Sequence, residues 1–151
     1  MKINILSIGN FKAKDNYKEL FEDYKKRIKW NINLIELKNS KVEDINLRKI
    51  QENKEIEKYI NSKNKLIVLD ERGKIITTPD FRDICTKFFE NSDGIDFVIG
   101  GSDGLLEETR EKADFILSFG KMVYPHLMIR VMLIEQLYRV YTLLNNHPYH
   151  K

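Results

Sequence analysis

The sequence predicts an α/β fold with a mainly parallel sheet flanked by helices. Three observations carry this. Short apolar runs alternate with helical patterns along the whole chain. The runs are buried-strand in character and bounded by turn residues. The chain closes on one long apolar helix, and no linker, repeat or low-complexity stretch divides it.

Lys2–Ile8 (KINILSI) reads as a buried strand ending at Gly9. Tyr17, Leu20, Phe21, Tyr24 and Ile28 follow helical spacing, with Asp15 or Asn16 as N-cap. Ile32–Leu37 is the second strand. Residues 46–61 give a charged helix with a weaker apolar face at Leu47, Ile50, Ile56, Tyr59 and Ile60. Lys65–Leu69 is the third strand, followed by the turn Asp70-Glu71-Arg72-Gly73. Thr78-Pro79 starts a helix whose face is Phe81, Ile84, Cys85, Phe88 and Phe89, so Cys85 reads as a small core residue. Ile95–Ile99 is the fourth strand and runs into Gly100-Gly101-Ser102-Asp103-Gly104. A short helix over 105–113 leads to the fifth strand, Phe115–Leu117.

After the loop Ser118–Tyr124, Pro125 is expected at the first position of the long helix, where its missing N–H has no intrahelical partner. The helix is expected to reach Asn145 or Asn146, roughly 30 Å at about 1.5 Å per residue. It carries two apolar stripes. One is Leu127, Val131, Ile134, Tyr138 and Tyr141; the other is Ile129, Leu133, Leu137, Val140 and Leu144. A surface helix needs one. Two imply burial against the chain's own core and against a second subunit. Glu135, Arg139 and Thr142 form the polar face.

At 151 residues the chain is expected to be a single domain, 1–151, able to bury a real core. Hydrophobic content of 42% and charged content of 32% fit an ordinary soluble protein. No apolar run reaches the roughly 18 residues of a membrane span, and the N-terminus lacks a signal-peptide pattern. One cysteine permits no internal disulfide and favours a reducing, cytoplasmic setting. Net charge is only +3 but uneven. Residues 1–54 carry 13 basic against 8 acidic side chains, and 55–114 carry 9 against 14. The basic ends suit a polyanion such as RNA, although on charge alone solvated helix faces are the simpler account.

In parallel sheets, ligands bind beyond the carboxyl ends of the strands. That selects the loops after Leu69, Ile99 and Leu117. Paired glycines in GGSDG allow close backbone approach to a ligand, or simply a tight turn. The loop is neither a dinucleotide fingerprint nor a phosphate-binding P-loop. No metal site is expected, because His126, His147 and His150 lack a cysteine partner or zinc-type spacing.

Four stretches together carry a resemblance: Gly100–Gly104; Leu117–His126 (LSFGKMVYPH); Leu137-Tyr138-Arg139; and Asn146–His150 (NHPYH). They resemble the RlmH family of large-subunit ribosomal RNA methyltransferases in the SPOUT superfamily, and the likeness spans the whole chain. It implies a C-terminal deep trefoil knot, S-adenosyl-L-methionine as cofactor and a homodimer. It further implies methylation of N3 of a pseudouridine in large-subunit rRNA on assembled ribosomes. Carried over by position, the cofactor contacts are Leu69, Gly100, Gly101, Phe119, Gly120, Lys121, Met122, Val123 and Tyr124. The family varies at Gly120-Lys121, so Lys121 carries no catalytic role here.

For the chemistry, His126 in the first turn of the long helix is a candidate base, kept neutral by the helix dipole. Packing or a cap hydrogen bond explains it as simply. His150 is the second candidate. Tyr149 suits stacking on an RNA base, worth roughly 1–3 kcal/mol. Arg130 and Arg139 suit a phosphate or the base, with an ion pair to Glu135 as the plainer role of Arg139. The tail of one subunit is expected to complete the site of the other. Another RNA substrate such as tRNA, or a non-catalytic RNA- or nucleotide-binding module, remains the alternative.

Overall fold

A computed structural model describes residues 1–151. Five parallel strands lie in the order β2-β1-β4-β3-β5. They are β1 (Lys2–Ile8), β2 (Asn31–Leu37), β3 (Lys65–Ile75), β4 (Ile95–Ile99) and β5 (Phe115–Ser118). The helices are α1 (Asn16–Arg27), α2 (Ile45–Glu57), α3 (Thr78–Glu90), α4 (Glu107–Glu111) and α5 (His126–Leu144).

The two-residue period of the strands sorts the core onto two faces. Ile3, Ile5, Ile67, Phe97 and Ile99 join the larger cluster, with Phe21, Phe81, Leu133, Ile134 and Leu137 from α1, α3 and α5. Leu6, Ile8, Val68 and Val98 join a smaller one with Ile56 of α2 and Leu105. Covered on both faces, β1 and β4 read as near-continuous apolar runs, as parallel strands should. Asp96, fully buried at the amino end of β4, accepts from Asn4 Nδ2 at 2.8 Å, Asn64 Nδ2 at 2.7 Å and the Asn61 N–H at 2.7 Å. These three donors replace its water.

Side-chain caps start three helices. Asp15 accepts from Tyr17 N–H and Asp44 from Leu47 N–H. Thr77 and Asp80 form a reciprocal capping box ahead of Pro79. Pro125 stands one position earlier than its sequence suggests. It is the N-cap residue, its carbonyl accepting from Met128 N–H at 2.9 Å and Ile129 N–H at 3.1 Å.

Four expectations are corrected. Asp70–Gly73 is not a free turn after β3. The strand shifts register there and resumes, Lys74 facing Leu117 and Ile75 facing Ser118. A Cβ on Gly73 would lie 2.6 Å from the Ile116 carbonyl oxygen, so the crossing needs glycine. Helix α4 is shorter than 105–113, since Leu105 is drawn into the core and Leu106 caps the helix. Helix α2 ends at Glu57, and only part of its expected apolar face is buried: Ile56 is in the core and Ile60 packs against it. Leu47, Ile50 and Tyr59 are exposed, while Glu52, Asn53 and Ile56 are buried.

The fourth correction concerns α5. The central residues of both stripes, Leu133, Ile134, Leu137, Tyr138 and Val140, are buried within one chain. Packing against α1, α3 and β4 accounts for them. Thr142 is buried as well and donates to Arg139 O at 2.8 Å, so it leaves the polar face. The double stripe therefore does not by itself demand a second subunit.

Candidate active site

The register-shift segment Leu69–Arg72 within β3 and the loops after β4 and β5 converge on one cavity of about 650 Å³. Leu69, Ile99, Leu105 and Leu117 give it an apolar floor. Gly100 to Gly104 form one wall, closed on itself by the Gly104 N–H to Gly101 carbonyl bond of 3.0 Å. Phe119, Gly120, Met122, Val123 and Tyr124 form the opposite wall, leading through Pro125 to His126. Ser118 Oγ sets that wall's turn, accepting from Gly120 N–H at 3.1 Å and donating to Gly120 O at 2.9 Å.

The glycine wall rests on α2. Arg48 donates to both oxygens of Asp103, at 2.6 and 3.2 Å. That pairing holds the Asp103 carboxyl below its ordinary range. Asn53 Oδ1 accepts from Leu106 N–H and Thr109 Oγ1, each at 2.9 Å. Glu52 Oε1 accepts from Ser40 N–H at 3.1 Å, while its buried Oε2 has no partner. A Cβ on Gly101 would lie 2.9 Å from that oxygen and 3.2 Å from Ile8, so any side chain there would have to displace Glu52. Burial raises the Glu52 carboxyl, the Ser40 N–H partly offsetting it.

Most of the residues expected to hold a cofactor meet here: Leu69, Gly100, Gly101, Phe119, Gly120, Met122, Val123 and Tyr124 all line the cavity. Lys121 does not. It is exposed and outside the lining. Met122 and Val123 stand at the mouth, 69% and 85% exposed, a costly placement for apolar side chains unless something covers them. His126 is half-buried on the rim. Burial lowers its pKa and the nearby Arg130 charge lowers it further, so the ring is neutral at pH 7.

Arg139, Tyr149 and His150 are elsewhere, at the far end of α5. At about 1.5 Å per residue, Arg139 lies about 20 Å along the helix from His126. The tail is not frayed. Tyr149 donates its hydroxyl to Glu135 Oε1 at 3.2 Å and sits 3.3 Å from the Tyr24 hydroxyl. Its ring packs on Tyr138 at 4.6 Å and under the Arg139 guanidinium at 5.1 Å. Burial and these bonds push the Tyr149 phenol up. Arg139 donates to Glu135 at 2.6 Å and to His150 Nδ1 at 3.3 Å, so the helix-face pair and the tail contact coexist.

Arg130 is not available to a phosphate. It is fully buried, donating to Glu36 at 3.0 Å and to the Ile8 and Gly9 carbonyls at 2.9 and 2.6 Å, with its guanidinium over Phe11 at 4.8 Å. It ties α5 to the ends of β1 and β2. Asp70, Asp103 and Arg110 line the cavity without having been singled out from the sequence. Asp70 and Arg110 pair at 3.6 Å. The position of Asp70 directly after a buried strand was the available signal.

A glycine-walled, apolar-floored slot with an imidazole on its rim suits a flat heterocycle bearing a small polar arm. Comparison with known proteins agrees. A family model described as "Predicted SPOUT methyltransferase" matches residues 1–150. The chain is 39% identical to the ribosomal RNA large subunit methyltransferase H of Clostridium botulinum (strain Okra / Type B1), over all of both chains. It is 40% identical to the protein of that name from Chromobacterium violaceum, covering 100% of this chain and 99% of the relative. The protein of that name from Rhodopseudomonas palustris (strain HaA2) is 35% identical at the same coverage. A probable methylase family protein from Haemophilus influenzae Rd KW20 superposes with a TM-score of 0.56 over 99% of this chain and 70% of that one. At 17% identity that likeness speaks to the fold.

Proposed function

The chain belongs to the SPOUT methyltransferase family, and on that premise we propose that it is an S-adenosyl-L-methionine-dependent methyltransferase of large-subunit ribosomal RNA. Its acceptor is N3 of a pseudouridine, and its substrate particle is the assembled ribosome. Cytoplasmic location follows from that substrate. The observation that carries the reading is the cavity where the Leu69–Arg72 segment of β3 meets the loops after β4 and β5, lined by eight residues that the family resemblance carries over as cofactor contacts. The relatives, matched over their full length, support the substrate.

The cavity residues fit the cofactor. Leu69, Ile99 and Leu117 offer apolar surface for adenine, and the 119–124 backbone lies beside it for the heterocycle's edge. The Gly100–Gly101 backbone lines the cavity, where its polar groups suit the methionine arm. Met122 and Val123 at the mouth would be covered by the ligand and the partner. The bound sulfonium supplies an electrophilic methyl group, so the chain's own residues position the acceptor and take one proton. The N3–H bond breaks as N3 gains its methyl, and the donor sulfur would keep the S–methyl electron pair and leave as a neutral thioether. Neutral His126 on the rim accepts that proton, with His150 as the other candidate.

The working form is a homodimer in which Arg139, Tyr149 and His150 of one subunit serve the cavity of the other. Their remoteness from the cavity of their own chain supports this. An apolar groove of about 520 Å³ beside α5, lined by Leu20, Tyr24, Ile75, Phe119, Val131 and Met132, offers the second copy a seat. The C-terminal trefoil knot belongs to the same proposal, supported by α5 entering the core between α1 and α3 straight from the 119–124 loop.

The test is transfer of labelled methyl groups to assembled ribosomes, isolated large subunits, free rRNA and tRNA. Label on large-subunit rRNA within ribosomes is expected. Label on tRNA alone would keep the cofactor and overturn the substrate.

A further inference from the structure

A second groove, of about 640 Å³, runs between the segment after β2 and the outer face of α2. No hydrophobic residue lines it. Lys38, Lys41 and Lys54 line it, are exposed, and form no ion pair. A fourth lysine, Lys58, is paired with Glu55 on the same helix. The groove is built rather than incidental: Ser40 donates through its N–H to Glu52 at 3.1 Å and through its hydroxyl to Gln51 at 2.7 Å, which fixes the loop against α2.

Its position matters more than its charge. Glu52 lines the groove and also touches Gly101, which lines the candidate cofactor cavity. Asn39 also lines the groove, and its side chain and His126 Nε2 each lie 3.4 Å from the point where Gly9 would carry a Cβ. The two cavities thus adjoin at both Glu52–Gly101 and Asn39–Gly9–His126. A chain of phosphates in the groove would pass the rim on which His126 sits.

We propose that this lysine groove docks the phosphodiester backbone of the RNA strand whose base enters the adjoining cavity. The inference rests on the RNA methyltransferase reading and deepens it. Three unpaired ammonium groups around a groove with no hydrophobic lining match a polyanion. They neutralise phosphates without reading bases. Base selection is left to the cavity. The groove therefore contributes affinity and alignment to the reaction, and leaves the methyl-transfer step alone.

The experiment compares a Lys38→Ala/Lys41→Ala/Lys54→Ala variant with a charge-matched control, Lys18→Ala/Lys63→Ala/Lys87→Ala, using assembled ribosomes and isolated large-subunit rRNA as probes. The groove variant is expected to raise KM for ribosomes about tenfold or more, with kcat and cofactor affinity held at wild-type values. Its affinity for both probes should lose about two units of salt slope, from about 0.7 per single-strand phosphate contact. KM and slope within about twofold of the control would overturn the groove assignment. Weakened binding to ribosomes with unchanged binding to free rRNA would also overturn it, pointing to an acidic protein segment instead. Absence of rRNA label from the wild-type enzyme itself would sink the parent reading, and that result is visible before any lysine is changed.

Discussion

The hydroxyl of Tyr149 donates to Glu135 Oε1 at 3.2 Å, which docks the C-terminal tail on α5, about 20 Å along the helix from His126. Tail and cavity are thus both ordered and apart within one chain. If the tail serves a cavity, the cavity is the partner's.

Two inactive variants test this. Deleting 147–151 should abolish methyl transfer while leaving cofactor affinity within about threefold, because no tail residue lines the cavity. Mixed with His126→Ala subunits, the deleted chains should recover about a quarter of wild-type activity, since random pairing leaves one complete site in half of the dimers. No recovery would place tail and cavity in the same subunit.

Gly101 sits with no room for a side chain between the cavity and Glu52. Gly101→Val should weaken cofactor binding about tenfold or more, roughly 1.4 kcal/mol, in calorimetry. Ser62→Ala, exposed and outside the cavity lining, should leave it unchanged. Equal effects of the two would show that the wall does not touch the ligand.

His126 is held below the ordinary imidazole range by burial and by Arg130. A neutral base is therefore available at pH 7 and below. The rate should stay level down to about pH 6.5 and fall only in more acidic buffer, where the ring gains its proton. The same shift acts on stability. The unfolded chain binds the proton more readily, so full stability is present above the unfolded pKa and is lost as pH falls below it. His126→Asn should remove that increment of acid sensitivity in thermal melts. A rate that falls already between pH 8 and 7 would contradict this placement.

Arg130 is buried and holds Glu36 and two β1-end carbonyls. Arg130→Ala should cost about 3 kcal/mol, the lower end for a broken buried pair because Glu36 keeps some solvent. The melting temperature should fall by about 6–12 °C. A change under 2 °C would mean the contact carries no weight.

The parallel α/β sheet could be read from sequence because its strands are buried on both faces. Ile3 to Ile8 and Ile95 to Ile99 are apolar runs whose class needs no tertiary information. The continuation of β3 through Asp70–Lys74 was hidden. Its charged residues and Gly73 carry turn chemistry, and only pairing with β5 makes them a strand. Arg130 was misjudged for a related reason. Sequence spacing puts it between two apolar stripes, but only the folded β1 and β2 ends supply the acceptors that make burying it tolerable.

The candidate site divides in the same way. Its walls follow a rule of sheet topology, so the segments after Leu69, Ile99 and Leu117 were visible in advance; the individual residues along them came only from the family resemblance. The contribution of α2 was not visible. Glu52 and Asn53 look like solvated helix residues, while Leu47 and Ile50 look like core. The structure exchanges them, because Asn53 accepts from Leu106 N–H and the Thr109 hydroxyl, and Glu52 accepts from Ser40 N–H.

The most direct test of the central claim is the chemical identity of the product. Ribosomes lacking the modification would be incubated with the protein and methyl-labelled S-adenosyl-L-methionine, and the large-subunit rRNA digested and resolved by mass spectrometry. The account predicts one labelled nucleoside, a pseudouridine methylated at N3. Label on another nucleoside, or none while the cofactor binds, would contradict it.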